Sequence, residues 1–340
     1  MDAKQIFNKD LESGAIKSAK FLGPKQNINK WHIVTGNLQG DICTFKYDKK
    51  NGISTRKFHV NNGESISCLD ASEDGSLILA ATNRGTIGRI RLGQDNNHDA
   101  LDIVHGLGST ANSIHFIPNT NERAIIGTRS GSIAQFNVER NETDSLVPTA
   151  HRRNPITEAL PLSASILLTA STDNTARILD LRVPTIEYIK LKHNSWVYSA
   201  SAASAESTMV LTGCRQGQLH LWDIRNPSQP ISNVKAAFGG GVTSCVIEEV
   251  QNIAIAGSSD HTASVLDLET GALRFHLRGF ENGIKRLTLS KNRQLVLGCA
   301  FDGHFRIYDI GFPVRRNVSV LTKGKSLPDD LDSAITEFLW

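Results

Sequence analysis

Short stretches of alternating apolar and polar residues, or of consecutive β-branched ones, recur along the chain, bounded by turn-forming residues such as Gly, Asn and Asp. An extended backbone points successive side chains to opposite faces. A period of two therefore marks a strand, where a helix would show 3.6. The clearest stretch is Leu219-His220-Leu221-Trp222-Asp223-Ile224-Arg225, which follows Leu211-Thr212-Gly213 and the turn Arg215-Gln216-Gly217. Around it the pattern predicts strands near residues 196–202, 208–213, 218–224 and 231–235.

The unit returns. Ala176-Arg177-Ile178-Leu179-Asp180-Leu181-Arg182 follows Thr172-Asp173-Asn174, Ala263 to Leu268 follows Ser259-Asp260-His261, and Phe305 to Ile310 follows Phe301-Asp302-Gly303. Weaker copies begin at Ile42, Ile87 and Ile133, each after a turn ending in Gly40, Gly85 or Gly131. The positions equivalent to Asp223 are Lys46, Arg91, Asn137, Asp180, Asp267 and Asp309, successive ones lying 42 to 46 residues apart. Four short antiparallel strands cannot bury both faces alone. Stacked radially, sheet on sheet, they share a core and leave only short edges. The arithmetic predicts seven sheets.

Trp222-Asp223, with Leu179-Asp180, Leu266-Asp267 and Tyr308-Asp309 as variants, carries a family likeness. Over roughly residues 1–320 the chain resembles the WD-repeat β-propellers. The resemblance implies an all-β fold: a seven-bladed propeller of four-stranded antiparallel blades, followed by a C-terminal extension over 321–340. In that family a His, a Ser or Thr, an Asp and a Trp share hydrogen bonds within a blade. His151, Ser171 and Asp173 match the first three places, and Leu179 stands in for the Trp.

A ring must close, or its first and last blades expose unpaired edges. The stretch Gln5-Ile6-Phe7-Asn8-Lys9 before Gly14 aligns with Leu273 to His276 before Gly283, so the N-terminal segment is expected as the outer strand of the last blade. Residues Asn317 to Leu321 compete for that place. In the tail, Ser326 and Pro328 look like a helix cap and first turn, with Asp329, Asp330 and Asp332 at the positive helix end. Leu331, Ile335, Phe338 and Leu339 then form one apolar stripe before Trp340, predicting a short helix that docks on the propeller or on a partner.

Composition narrows the function. Hydrophobic residues make up 39% and charged residues 21% of the 340, as in a globular chain. No apolar run approaches the length of a membrane span, and the polar start leads into no secretory h-region. A net charge of +3 does not announce a nucleic-acid binder. Lys46, Lys49, Lys50, Arg56 and Lys57 make the first blade basic, but few aromatics interleave, and a solvated face is expected. Cys43, Cys68, Cys214, Cys245 and Cys299 form no C-x-x-C pair and are expected as free, packed thiols, which fits a cytosolic or nuclear protein.

Catalytic signatures are missing. Gly324-Lys325-Ser326 resembles the end of a phosphate loop, but Ser319 stands where the loop needs its first Gly. H-E-x-x-H, G-x-S-x-G and G-x-G-x-x-G do not occur. Neither catalysis, a cofactor nor a small-molecule substrate is expected. Asn141-Glu142-Thr143 and Asn317-Val318-Ser319 are sequons without meaning in a protein that is not secreted.

What remains is surface. In a propeller, the loops from an outer strand to the next inner strand share a face with the turns before the third strands. On that face fall Arg84, Arg129, Arg152, Arg153, Trp196, Arg215, Phe238, Phe280 and Phe301. Arg and large aromatics dominate binding energy at protein interfaces, and Arg forks onto carboxylates and phosphates. The expected ligand is an acidic or phosphorylated protein segment. The opposite face carries Arg182 and Arg225 in two successive W-D-x-R-like motifs. These resemble the motif by which WD-repeat proteins dock on the adaptor of cullin-4 ubiquitin ligases. His151-Arg152-Arg153-Asn154 is similar to the Phe/Leu-Arg-Arg-Gly motif of phosphoinositide-binding propellers, but both flanking residues depart from it.

Overall fold

The computed structural model describes residues 4–10, 14–24, 26–60, 63–93, 99–182, 188–204, 207–237 and 239–310. They form seven four-stranded antiparallel sheets. Six use consecutive strands and are numbered blades 1 to 6 in chain order, their inner strands being Ile16–Phe21, Ile66–Ala71, Ala111–Phe116, Ile156–Pro161, Val197–Ala202 and Val242–Glu248. The seventh joins the N-terminal strand Lys4–Asp10 to His304–Asp309, Leu295–Ala300 and Ile284–Leu289, in that order outside to inside. The N-terminal segment thus closes the ring as expected. The segment 317–321 and the tail stripe lie outside the described residues.

Blade 5 shows how the alternation becomes architecture. Its strands run Val197–Ala202, Met209–Cys214, Gln218–Asp223 and Ser232–Lys235, within a residue or so of the expected spans. Adjacent residues on the third strand face opposite neighbours: Trp222 packs with blade 4 residues such as Leu168 and Ile178, and Leu221 packs with Cys245 and Leu266 of blade 6. The buried apolar residues fall into seven clusters, one at each junction between successive blades. On the second strands a missing side chain lets blades approach: a Cβ on Gly213 would stand 2.5 Å from Val242 Cγ1 of the next blade.

The turns before the third strands set the register. Gly40, Gly85, Gly131, Asn174, Gly217, His261 and Gly303 all have φ between 64° and 86°. Gly is the residue that adopts this conformation freely, with Asn next. Each lies six residues before the equivalents of Asp223, so all seven repeats, including the three weak ones, keep one register.

The inner strands follow a second rule. Each carries a register shift at its second residue, so that one extra residue is inserted into the pairing. The inserted residues are Lys17, Ser67, Asn112, Thr157, Tyr198, Thr243 and Lys285, and all seven line the central channel.

Candidate binding surfaces

The channel holds a cavity of about 710 Å³, lined in part by Asn83, Thr110, Arg129 and Ser259 from the face that carries the outer-to-inner loops and the turns before the third strands, here the wide-loop face. Its wall is stitched by the inserted residues. Asn112 Nδ2 donates to the Ile156 carbonyl at 2.8 Å, Thr157 Oγ1 to that of Val197 at 2.7 Å and Thr243 Oγ1 to that of Ile284 at 2.5 Å. Each bond joins one blade to the next, satisfying a strand-end carbonyl that the bulge leaves open.

Deeper down, an ion network crosses the channel. Arg286 of blade 7 reaches Glu158 of blade 4, on the opposite side, through two bonds of 2.6 and 3.0 Å. His115 of blade 3 sits 2.5 Å from Glu158 Oε1 through its Nε2, and Asp70 of blade 2 pairs with Lys20 of blade 1 while accepting from the Phe116 amide at 2.8 Å. Burial alone would raise the Glu158 pKa. The Arg286 charge and the His115 hydrogen bond outweigh it and hold the carboxyl well below the usual carboxylate range. Sequence reasoning did not single out these residues. The available signal was the charged pair Lys285-Arg286 set between buried Ile284 and Leu287 within a strand.

Blade 4 corrects one assignment. His151 Nδ1 contacts Asp173 Oδ2 at 2.9 Å, but its Nε2 pairs with Thr169 Oγ1 at 2.8 Å, not with Ser171. Ser171 Oγ instead donates to the Pro155 carbonyl at 2.9 Å. Both residues point to the same side of their strand, and Thr169 is the one level with the imidazole. Burial would raise the Asp173 pKa, but bonds from His151 and Thr175 bring it to about 2. In blade 5 the equivalent hydroxyl, Thr212, meets His193 Nε2 at 2.9 Å and accepts from Trp222 Nε1 at 3.0 Å.

His193, Cys214 and His220 bring three buried metal-type ligand atoms within 4.8 Å of one another. Both ring nitrogens of His193, the Cys214 sulfur and His220 Nδ1 already have partners within the blade. His193 Nδ1 meets the Leu191 carbonyl at 3.1 Å, and Cys214 Sγ meets His220 Nδ1 at 3.6 Å. Burial pushes the thiol up to about 12, and burial with the nearby His220 takes His193 down to about 3, so the trio stays neutral. It packs the blade. Thr212→Val strips both His193 and Trp222 of their partner, and is expected to cost about 1–3 kcal/mol, read as a lowered urea midpoint.

The wide-loop residues do share a face. Arg84, Arg129, Arg152, Arg153, Trp196, Arg215 and Phe301 lie on its turns and are exposed. The Arg215 guanidinium stacks over the Trp196 ring at 4.4 Å from its centroid. Trp196 in turn meets Tyr198 edge-on at 6.4 Å, linking rim to channel wall. Phe280 is a correction. It is buried, 5.8 Å from the Tyr308 ring and under the Arg306 guanidinium at 5.0 Å. It precedes its inner strand by the same four residues as His193 does, so it fills in blade 7 the slot that the histidine fills in blade 5. Phe238 and the tail residues Leu331, Ile335, Phe338, Leu339 and Trp340 lie outside the described residues.

On the opposite face Arg182 and Arg225 are exposed in matching poses. Each forks onto the carboxylate two residues before it, Arg182 on Asp180 and Arg225 on Asp223, with the shortest bond 2.6 Å in both. All five cysteines are buried and free.

Comparison with known proteins agrees with this geometry. The WD domain, G-beta repeat family matches residues 187–223, the unit containing Trp222-Asp223. WD repeat-containing protein 37 of Xenopus laevis is 25% identical over 143 residues, which is 42% of this chain and 28% of that protein. The ribosome biogenesis protein WDR12 homolog of Drosophila persimilis is 29% identical over 104 residues, 29% of this chain and 24% of its own length. The transcription factor unc-37 of Caenorhabditis elegans is 25% identical over 131 residues, 36% of this chain and 21% of its own. The chain thus matches under a third of the length of each of these relatives. The crystal structure of the WD40 β-propeller domain of Doa1 superposes with a TM-score of 0.73 at 14% identity, covering 90% of this chain and 97% of that one, a likeness of fold.

Proposed function

Because the chain belongs to the WD-repeat β-propellers, we propose that it is a non-enzymatic scaffold or adaptor subunit of a multiprotein complex, which holds an acidic or phosphorylated segment of a partner protein on its wide-loop face. The exposed Trp196–Arg215 stack carries this reading. Trp and Arg are the residues most enriched among interface hot spots, and stacking pre-orders the guanidinium for a bidentate anion. Arg84, Arg152, Arg153 and Phe301 on the same face supply a surround of cations and apolar surface. The relatives named for ribosome biogenesis and for transcription support a nuclear or cytosolic setting.

The matched poses of Arg182 and Arg225 support a second reading, a substrate receptor that docks on a cullin-4 ligase adaptor through the opposite face. One experiment separates the two. Affinity purification with mass spectrometry is run on the wild type, on Trp196→Ala/Arg215→Ala and on Arg182→Ala/Arg225→Ala. The scaffold reading expects the first variant to lose at least tenfold of a captured partner. The ligase reading requires the cullin adaptor in the wild-type set and its loss from the second variant. Unchanged capture by the first variant would sink the chosen face.

A further inference from the structure

We propose that the mouth of the central channel is a binding site for a phosphate-ester group, held by Lys17, Lys285 and Arg129 above the Arg286–Glu158 pair. The inference rests on the wide-loop face being the contact face, and it names where on that face the anion sits.

The argument is one of uncompensated charge in a walled space. The cavity is lined by four cations, Lys17, Arg129, Lys285 and Arg286, against one carboxylate, Glu158. Glu158 is taken by Arg286 through both oxygens. Lys17, Lys285 and Arg129 form no ion pair with any described residue. Lys17 and Lys285 are the inserted residues of adjacent blades 1 and 7, so the bulge geometry that lines the channel also drives two ammonium groups into it side by side. Burial, then the like charges of Lys17 and Arg286, hold the Lys285 pKa below the ordinary lysine value. Lys285 is half-buried, and a cation held part-way out of water and facing other cations is costly unless an anion joins it.

The class of anion follows from what the wall has left to offer. Asn112, Thr157 and Thr243 already donate to backbone carbonyls, which leaves the ammonium and guanidinium groups as the charged donors of the wall. Three cations suit a phosphate monoester, which brings close to two negative charges and three terminal oxygens, better than a singly charged carboxylate. A volume of about 710 Å³ lies in the range of ligand pockets and exceeds what one phosphate fills. The group therefore arrives either on a small phosphorylated molecule or on a phosphorylated side chain of a bound segment.

The test is calorimetric titration and thermal melting of the full chain near physiological ionic strength. The probes are inorganic pyrophosphate, inositol hexakisphosphate, and a serine-phosphopeptide pool with its unphosphorylated counterpart. The wild type is expected to bind and to melt at higher temperature with at least one phosphorylated probe. Lys17→Gln/Lys285→Gln should weaken that binding at least tenfold, while melting no lower than the wild type without a probe, since it removes like-charge repulsion. The small anions and the peptides separate the two sources. No shift with any phosphorylated probe, or an equal shift in the double variant, overturns the site. The face is judged separately. If Trp196→Ala/Arg215→Ala abolishes partner capture and Lys17→Gln/Lys285→Gln does not affect it, the face stands and the channel site falls as the partner's anchor. If pyrophosphate binds through the lysines but no rim variant alters capture, the site stands and the face falls.

Discussion

Glu158→Ala is expected to destabilise the propeller by about 3–5 kcal/mol, the range for removing one partner of a buried ion pair. The variant leaves the Arg286 guanidinium in the channel without its bidentate carboxylate and removes the partner of His115. Chemical denaturation of wild type and variant gives the difference. Replacing both members, as Glu158→Leu/Arg286→Met, should recover most of the loss, because no charge is then stranded. Acid supplies a second reading of the same pair. The folded pKa of Glu158 is depressed, whereas the unfolded chain returns it to near its ordinary 4.5. The unfolded state therefore takes up the proton first. This stabilisation is complete above about pH 4.5 and is lost as pH falls below it toward the folded value. The Glu158→Gln variant should show a shallower decline over that acid range. Parallel acid curves for the two proteins would contradict the ionic account.

The second large effect concerns closure. Deleting residues 1–10 removes the outer strand of blade 7 and leaves the edge of His304–Asp309 unpaired. It also removes Phe7, which meets Trp31 edge-on at 4.8 Å and stacks with Phe305 at 5.6 Å across the junction of blades 7 and 1. Trp31 lies within the same cluster, 2% exposed and stacked on Tyr47 at 5.2 Å. Trp31→Ala alone should cost about 3–5 kcal/mol. The deletion adds a lost strand ladder and an open edge able to pair with another chain. The expected outcome is a lower urea midpoint than Trp31→Ala shows, with self-association on size-exclusion chromatography. A monomer of wild-type stability would mean that another segment closes the ring.

The blade count was legible because a turn residue in the left-handed region recurs once per sheet, at Gly40, Gly85, Gly131, Asn174, Gly217, His261 and Gly303. Composition at these positions survives even where the Asp of the dipeptide is lost, as at Lys46, Arg91 and Asn137. Closure was legible from the likeness of the N-terminal segment to a fourth strand. The channel was not read, although its mark is in the sequence. Along each inner strand the buried apolar positions stand three apart, as in Ile16 and Ala19, Val197 and Ala200, or Ile284 and Leu287. Strict alternation forbids an odd spacing, so the break is the bulge, and the residue after the first apolar one enters the lumen. Loop arginines drew attention because loops commonly carry function. Charges inside strands passed as half-buried polar positions. Phe280 departs from the sequence reading for a related reason: loop position does not imply exposure, and its spacing from the next strand matches that of the buried His193. The choice of Ser171 over Thr169 could have been settled by comparing blades, since Thr212 repeats Thr169 and Cys214 replaces Ser171.

The seven inserted residues belong to none of the seven apolar clusters that hold the blades together. At Lys17 and Lys285, which unlike Asn112, Thr157 and Thr243 do not bond to the next blade's backbone among the described residues, selectivity of the lumen is separable from folding, like tumblers in a lock whose barrel stays unchanged. A designer wishing to retune this ring for a different guest could exchange those two lysines and leave in place the blade-to-blade bonds of Asn112, Thr157 and Thr243.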